Sequence, residues 1–283
     1  EIDIEEDINE YRRNAIQIGK QNAHQSFSDI QKNSLLSEYK DKIGEAINGY
    51  YQREKNGNIY VDLGKVEGYL PVKNQSPREV FAMGDRIKAL VVDVKKINVG
   101  LQLILSRSDP EFVRSLVEIE VPEIYDKTVE IYKIVREAGY RTKIAVFSHK
   151  EDIDPVGACV GLKGGRIQAI IRELEGEKID ILKYDSDPKE FIKNALSPAE
   201  VEEVFILDED KKQALAIVNE SQFSLAIGKQ GLNVRLANRL VDWNIDVKTA
   251  DQCEELENLF KEVNPIPIKK TLNLLGFNCG KPR

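Results

Sequence analysis

The sequence predicts an α+β, multidomain protein: an N-terminal helical connector, a small five-stranded β-barrel, and two copies of one α/β unit. Three observations predict it. Residues 8–40 carry apolar side chains at helical spacing. Residues 41–108 switch to short β-branched and aromatic runs broken by Asn and Gly. Residues 109–250 contain a repeat whose glycine pairs lie 67 residues apart.

In the first segment Ile8, Tyr11, Ala15, Ile18 and Asn22 recur at three- and four-residue steps, with charge on the other side. No proline interrupts the run, and Gly19 is the only break, so residues 1–40 read as a connector left over from a preceding domain. The chain begins at Glu1 rather than Met, which reads as a piece of a longer protein.

The barrel is expected over residues 41–108. Ile59-Tyr60-Val61-Asp62-Leu63 follows Asn56-Gly57-Asn58, and Gly68-Tyr69-Leu70-Pro71 supplies a partner strand. Gly84-Asp85 opens a strand from Arg86 to Val94, and a last one runs from Val99 to Ser106. Five short strands with tight turns in this length predict a small closed barrel. If Ile59 and Val61 face inward, Tyr60 faces out, where it could stack a base. The opposing reading is a half-buried tyrosine among solvated charges, with Arg53, Lys55 and Lys65 close in sequence.

The repeat comprises residues 109–186 and 187–250. The first unit contains VGACVGLKGGRIQAIIRELEGEKIDI and the second FSLAIGKQGLNVRLANRLVDWNIDV. Gly161 aligns with Gly228, Gly164 with Gly231, and Ile167 with Val234. Strands are expected at Val129–Val135 and Lys143–Phe147, and again at Glu203–Leu207 and Gln213–Val218. Leading helices fall at Glu111–Ile119 and Lys189–Ala195, giving the order α-β-β-α-α-β twice. Residues 251–283 read as a short helix, Gln252–Val263, and a tail containing Pro265 and Pro267.

The chemistry lies in the glycine loops. A sugar-phosphate backbone can rest against main chain where no Cβ stands in the way, and glycine meets that need. Each loop opens a helix whose N–H groups and dipole favour an anion. Gly161, Leu162, Lys163, Gly164, Gly165, Arg166 and Ile167 form the first candidate site, with Ile170 and Ile181 as an apolar floor for bases. Gly228, Lys229, Gln230, Gly231, Asn233, Val234 and Arg235 form the second, with Val247 beneath. Because a helix dipole alone contributes only ~0.3–1 kcal/mol at an exposed site, the bases must supply the rest.

Charge narrows the alternatives. Lys and Arg total 41 against 48 Asp and Glu, a net charge of −7, so a broad positive field for nucleic acid is excluded. His24 and His149 are isolated, and Cys159, Cys253 and Cys279 lack ligand spacing, so neither a metal site nor a cofactor is expected. No phosphate-binding Gly-x-x-x-x-Gly-Lys-Ser/Thr loop and no nucleophile–base constellation is present, which argues against an enzyme. No stretch of 18 apolar residues offers a membrane span. A cytoplasmic monomer is expected.

These motifs carry a family resemblance. GNIYVDLGKVEGYLP, GDRIKALVVDV and LQLILS resemble the S1 version of the OB fold, and the α-β-β-α-α-β units with Gly-x-x-Gly resemble type II KH domains. The stretch LSRSDPEFVRSLVEIEVPEIYDKTVEI, joining barrel to repeat, resembles the NusA family of bacterial transcription termination/antitermination factors. That resemblance implies binding of single-stranded nascent RNA, contact with RNA polymerase and with other Nus-type elongation factors, and RNA contacts at both glycine loops. Two other classes stay open on the residues alone. One is the accessory region of an RNA-processing exonuclease, although the KH-before-S1 order of those enzymes is reversed here. The other is a protein-binding KH scaffold.

Overall fold

The computed structural model describes residues 13–97, 100–150 and 152–252. Contacts divide the chain into two units, residues 1–75 with 81–107 and residues 76–80 with 108–283. The start of the expected first helix, Val99, and most of the expected helix Gln252–Val263 lie outside the described residues.

In the first unit, α1 (Arg13–Lys40) ends with a cation in its last turn, matching the helix dipole. Its C-terminal residues Leu35, Leu36 and Tyr39 pack into the core of a closed barrel. The strands are β1 (Ala46–Lys55), β2 (Asn58–Asp62), β3 (Glu67–Leu70), β4 (Arg86–Ile97) and β5 (Gly100–Ser106), paired in the order β1-β2-β3-β5-β4 and closed by β1 against β4. Asn56 and Gly57 both take positive φ, 54° and 76°, which fits the tight two-residue connection between β1 and β2. Val61, Leu70, Val91 and Leu103 are fully buried inside. Strand β1 is the one the sequence did not single out. It carries Gly49 and a register shift between Tyr51 and Arg53, so its polar–apolar alternation is broken.

The second unit contains the repeat. Its first half runs α2 (Pro110–Glu120), the single turn α3 (Pro122–Tyr125), β6 (Val129–Glu137), β7 (Arg141–Ser148), α4 (Pro155–Val160), α5 (Gly165–Glu173) and β8 (Lys178–Lys183). Its second half runs α6 (Pro188–Ala195), β9 (Val201–Asp208), β10 (Gln213–Val218), α7 (Glu220–Ile227), α8 (Leu232–Val241) and β11 (Asn244–Thr249). In each half the middle strand pairs antiparallel with the strand before it and parallel with the strand after the helices. This is the α-β-β-α-α-β order read from the sequence.

The halves share a core. Val135, Ala145 and Leu182, on the outer face of the first sheet, pack with Phe191, Ile192 and Leu196 at α6 and with Leu236, Ala237 and Leu240 of α8. Lys143, wholly buried on that same face, donates from Nζ to the Ser197 carbonyl at 2.6 Å and to Asp180 Oδ2 at 3.2 Å. Burial pushes its pKa down to about 8, and the Asp180 carboxylate opposes that shift. Nearby, Arg136 and Glu177 form a fully buried ion pair at 2.8 Å. Glu177 also accepts from Thr142 Oγ1 at 2.5 Å and from the Gly139 amide at 2.7 Å. Its lone pairs are thereby used, as a buried carboxylate requires.

Candidate nucleic-acid interface

Each glycine loop joins two short helices by the same backbone path. Gly161 (φ 74°, ψ 176°) ends α4, Lys163 (φ 52°, ψ 27°) is left-handed, and Gly164 (φ 75°, ψ 14°) starts α5. In the second half Gly228 (73°, 172°), Gln230 (54°, 30°) and Gly231 (71°, 16°) repeat these values. Two sequences that share only the glycines therefore build one conformation.

The two glycines of a loop have different jobs. A Cβ on Gly161 would lie 2.7 Å from Arg166 Cγ, and one on Gly228 would lie 2.9 Å from the Asn233 amide nitrogen. Their backbone region is also essentially glycine-only. The first glycine thus makes room for the protein's own chain. A Cβ on Gly231 would meet nothing within 4 Å, and one on Gly164 would meet only Ile167 Cγ2 at 3.9 Å. The second glycine is the one with open space above it.

The helices that follow are left uncapped by side chains. Asp109, Asp154, Asp187 and Asn219 each accept backbone N–H bonds at the starts of α2, α4, α6 and α7. At α5 and α8 the cap is Gly164 or Gly231, which has no side chain to bond the first turn. The Gly164 and Gly231 amides donate to the Gly161 and Gly228 carbonyls at 3.0 and 3.1 Å, so an external anion would meet the N–H groups further into each first turn.

The expected site residues divide by position. Leu162 is 90 % exposed at the first loop tip, and Lys163, Lys229, Gln230 and Arg235 are exposed beside it or its twin. Gly165 lies in the open, with nothing near a Cβ. Ile167, Ile181 and Val234 are half-buried, whereas Ile170 and Val247 lie in the core as support.

Two side chains depart from the expectation of direct RNA contact. Asn233 is fully buried, and its Nδ2 donates to the carbonyls of Leu196 at 3.0 Å and Ala226 at 2.9 Å. It braces the loop from inside and presents nothing to a ligand. Arg166, at the matching position, donates from Nη1 to the Ala158 carbonyl at 2.6 Å and to Glu123 Oε2 at 2.8 Å. In both halves the residue five after the first glycine reaches back to the end of the preceding helix. Local spacing carried no sign of Glu123, because its role arises only when α3 packs beside the loop.

On the barrel, Tyr60 faces outward and is half-buried, while Ile59 and Val61 face in. Its ring lies 5.4 Å from that of Tyr69, its cross-strand partner. The Arg53 guanidinium lies 3.8 Å over the Tyr60 ring and is held by Glu67 at 2.5 Å. The outward tyrosine is therefore already covered on one face by a cation of its own chain.

Among the described residues no group of three or more His, Cys, Asp or Glu side chains could hold a metal ion. None of the described helices is long and apolar enough to cross a membrane.

A five-stranded barrel followed by two α/β units with matching glycine loops defines an S1–KH–KH protein. Residues 40–106 match the S1 RNA binding domain, 107–184 the NusA-like first KH domain, and 188–255 the NusA-like second KH domain. The chain is 53% identical over 247 residues to the transcription termination/antitermination protein NusA of Borreliella burgdorferi, covering 87% of this chain and 51% of that protein. It is 46% identical over 255 residues to the NusA of Bacillus subtilis, covering 90% and 68% respectively. For Thermus thermophilus NusA the identity is 45% over 243 residues, covering 86% and 62%. The chain belongs to the NusA family, and it spans about half to two-thirds of the length of these relatives.

Proposed function

We propose that the chain binds a single RNA strand at both glycine loops, without catalysis, and that it acts in transcription termination and antitermination as its relatives' names state. The observation that carries the reading is the pair of uncapped helix starts at Gly164 and Gly231, beside open space, in a fold that caps α2, α4, α6 and α7 with Asp or Asn. Phosphates would take the backbone N–H groups, and Lys163, Lys229 and Arg235 would add cations. Bases would lie against Ile167, Ile181 and Val234. A KH module holds about four nucleotides in this manner. The RNA is a nascent transcript, and RNA polymerase with other Nus-type factors are the protein partners in this reading.

The test is Gly164→Asp combined with Gly231→Asp. Both positions have room for a side chain, and aspartate tolerates left-handed backbone better than most residues. Native circular dichroism with at least a tenfold loss of affinity for a single-stranded RNA oligomer is expected. Unchanged affinity in the folded variant would reject the loops as the binding site.

A further inference from the structure

The two glycine loops follow one backbone path, so whatever separates them as RNA sites lies in their side chains. The 67-residue offset matches them position by position. Leu162 corresponds to Lys229, Lys163 to Gln230, Gly165 to Leu232, Arg166 to Asn233 and Gln168 to Arg235. Each loop carries a lysine, but at different places along it.

The helix starts differ more. Residues four apart on a helix share a face, and side chains lean toward its N-terminus. Arg235 is exposed and stands four residues after Gly231, so it leans over the turn where a Cβ would meet nothing within 4 Å. Gln168 holds that place relative to Gly164; it is exposed as well but brings no charge. The first helix does have an arginine, yet Arg166 Nη1 is taken by the Ala158 carbonyl and by Glu123. Among the described residues no ion pair engages Lys163, Lys229 or Arg235.

The neighbouring acids widen the difference. The helix leading into the first loop, α4, is capped by Asp154, whereas α7 is capped by neutral Asn219 and carries Glu220 in its first turn. Glu123 has no counterpart, because α6 is followed by β9 with no helix like α3 between them. Around the first loop Lys163 and Arg166 are therefore balanced by Glu123 and Asp154. Around the second, Lys229 and Arg235 outweigh Glu220. What the first loop offers instead is bare surface: Gly164 and Gly165 are adjacent, a Cβ on Gly165 would meet nothing, and Leu162 is 90 % exposed. In the second loop Leu232 replaces Gly165 and packs against the shared core.

We propose that the two loops hold the RNA strand unequally, an inference that rests on RNA binding at both. The second is the ionic anchor, with one phosphate at Lys229 and one beneath Arg235. The first takes one phosphate, at Lys163, and turns bare backbone and the Leu162 side chain toward sugar and base. Gly164→Asp and Gly231→Asp, made singly in the full chain, test this by titration with a mixed-sequence single-stranded RNA oligomer over a range of salt. With the first loop blocked, log K should fall with log salt by ~1.4; with the second blocked, by ~0.7. At the lowest salt the chain that keeps its second loop should bind about fivefold tighter than the one that keeps its first. Equal slopes, or a steeper one for the first loop, would overturn the division while leaving both loops as binding sites. Unchanged affinity in both variants would overturn it together with the reading beneath it. A second measurement needs no glycine change. Arg235→Gln should lower the slope of the whole chain by ~0.7, and Gln168→Arg should raise it by ~0.7. An unaltered slope in either variant would overturn the proposal.

Discussion

Arg166 Nη1 lies 2.8 Å from Glu123 Oε2, tying the first glycine loop to α3. An arginine beside a phosphate site invites the reading of a direct ligand, but this one is engaged by its own protein. Glu123→Gln removes a negative charge near the loop, so simple electrostatics predicts tighter RNA binding. Positioning predicts the reverse, a threefold to tenfold weaker affinity, equivalent to ~0.7–1.4 kcal/mol. Titration of an RNA oligomer against both proteins at one salt concentration separates the two.

The glycines of a loop should respond differently to alanine. At Gly228 a methyl group meets the Asn233 amide nitrogen at 2.9 Å in a backbone region that disfavours side chains, so Gly228→Ala should cost ~2–4 kcal/mol of stability. At Gly231 only the left-handed backbone opposes the change, a cost of ~1–2 kcal/mol. Urea unfolding of the two variants checks the ranking.

Which glycine does what was not legible in the sequence. The 67-residue offset, the loop pairs and the α-β-β-α-α-β order follow from pattern, because glycine punctuation and hydrophobic period are local properties. The burial of Asn233 is not local. It depends on α6, whose Leu196 carbonyl comes to meet its amide from 37 residues away. A polar residue after a glycine loop looks the same in sequence whether it faces solvent or the core. Likewise Arg53 was visible near Tyr60, but neither the register shift in β1 nor the guanidinium lying over the ring was.

Lys143 sets a pH dependence. Its folded pKa, about 8, lies below the value of 10.5 for a free lysine, so the unfolded chain binds more protons between these limits. Stability contributed by this residue is therefore lowest below about pH 8 and rises towards pH 10.5. Lys143→Met should flatten that rise. Unfolding midpoints measured at pH 7.5, 9 and 10 should converge as pH increases if the variant begins as the more stable protein. If it begins as the less stable one, because the Ser197 carbonyl loses its donor, the gap should widen.

If the barrel face also touches RNA, Arg53→Ala should weaken binding more than Tyr60→Ala does. The guanidinium offers both a charge and a flat outer face, whereas the ring beneath it is partly covered. A larger loss for Tyr60→Ala would show that the arginine swings away when RNA arrives.

Salt dependence should report the exposed cations. For a single strand, log K falls with log salt by ~0.7 per neutralised phosphate. Replacing both Lys163 and Lys229 with alanine should lower the slope by ~1.4 if each lysine meets one phosphate. An unaltered slope would place the phosphates elsewhere.

The buried Lys143–Ser197 hydrogen bond and the packing of α6 and α8 on the first sheet join the two KH units through one core. On a common core the two glycine corners stand at one separation, so if RNA docks at both, as proposed, they would act as a gauge along the strand. A strand whose two docking stretches are spaced to match can occupy both at once. One with a shorter or longer spacer would have to bow out or let one corner go, and distance along the RNA would then become part of what is read.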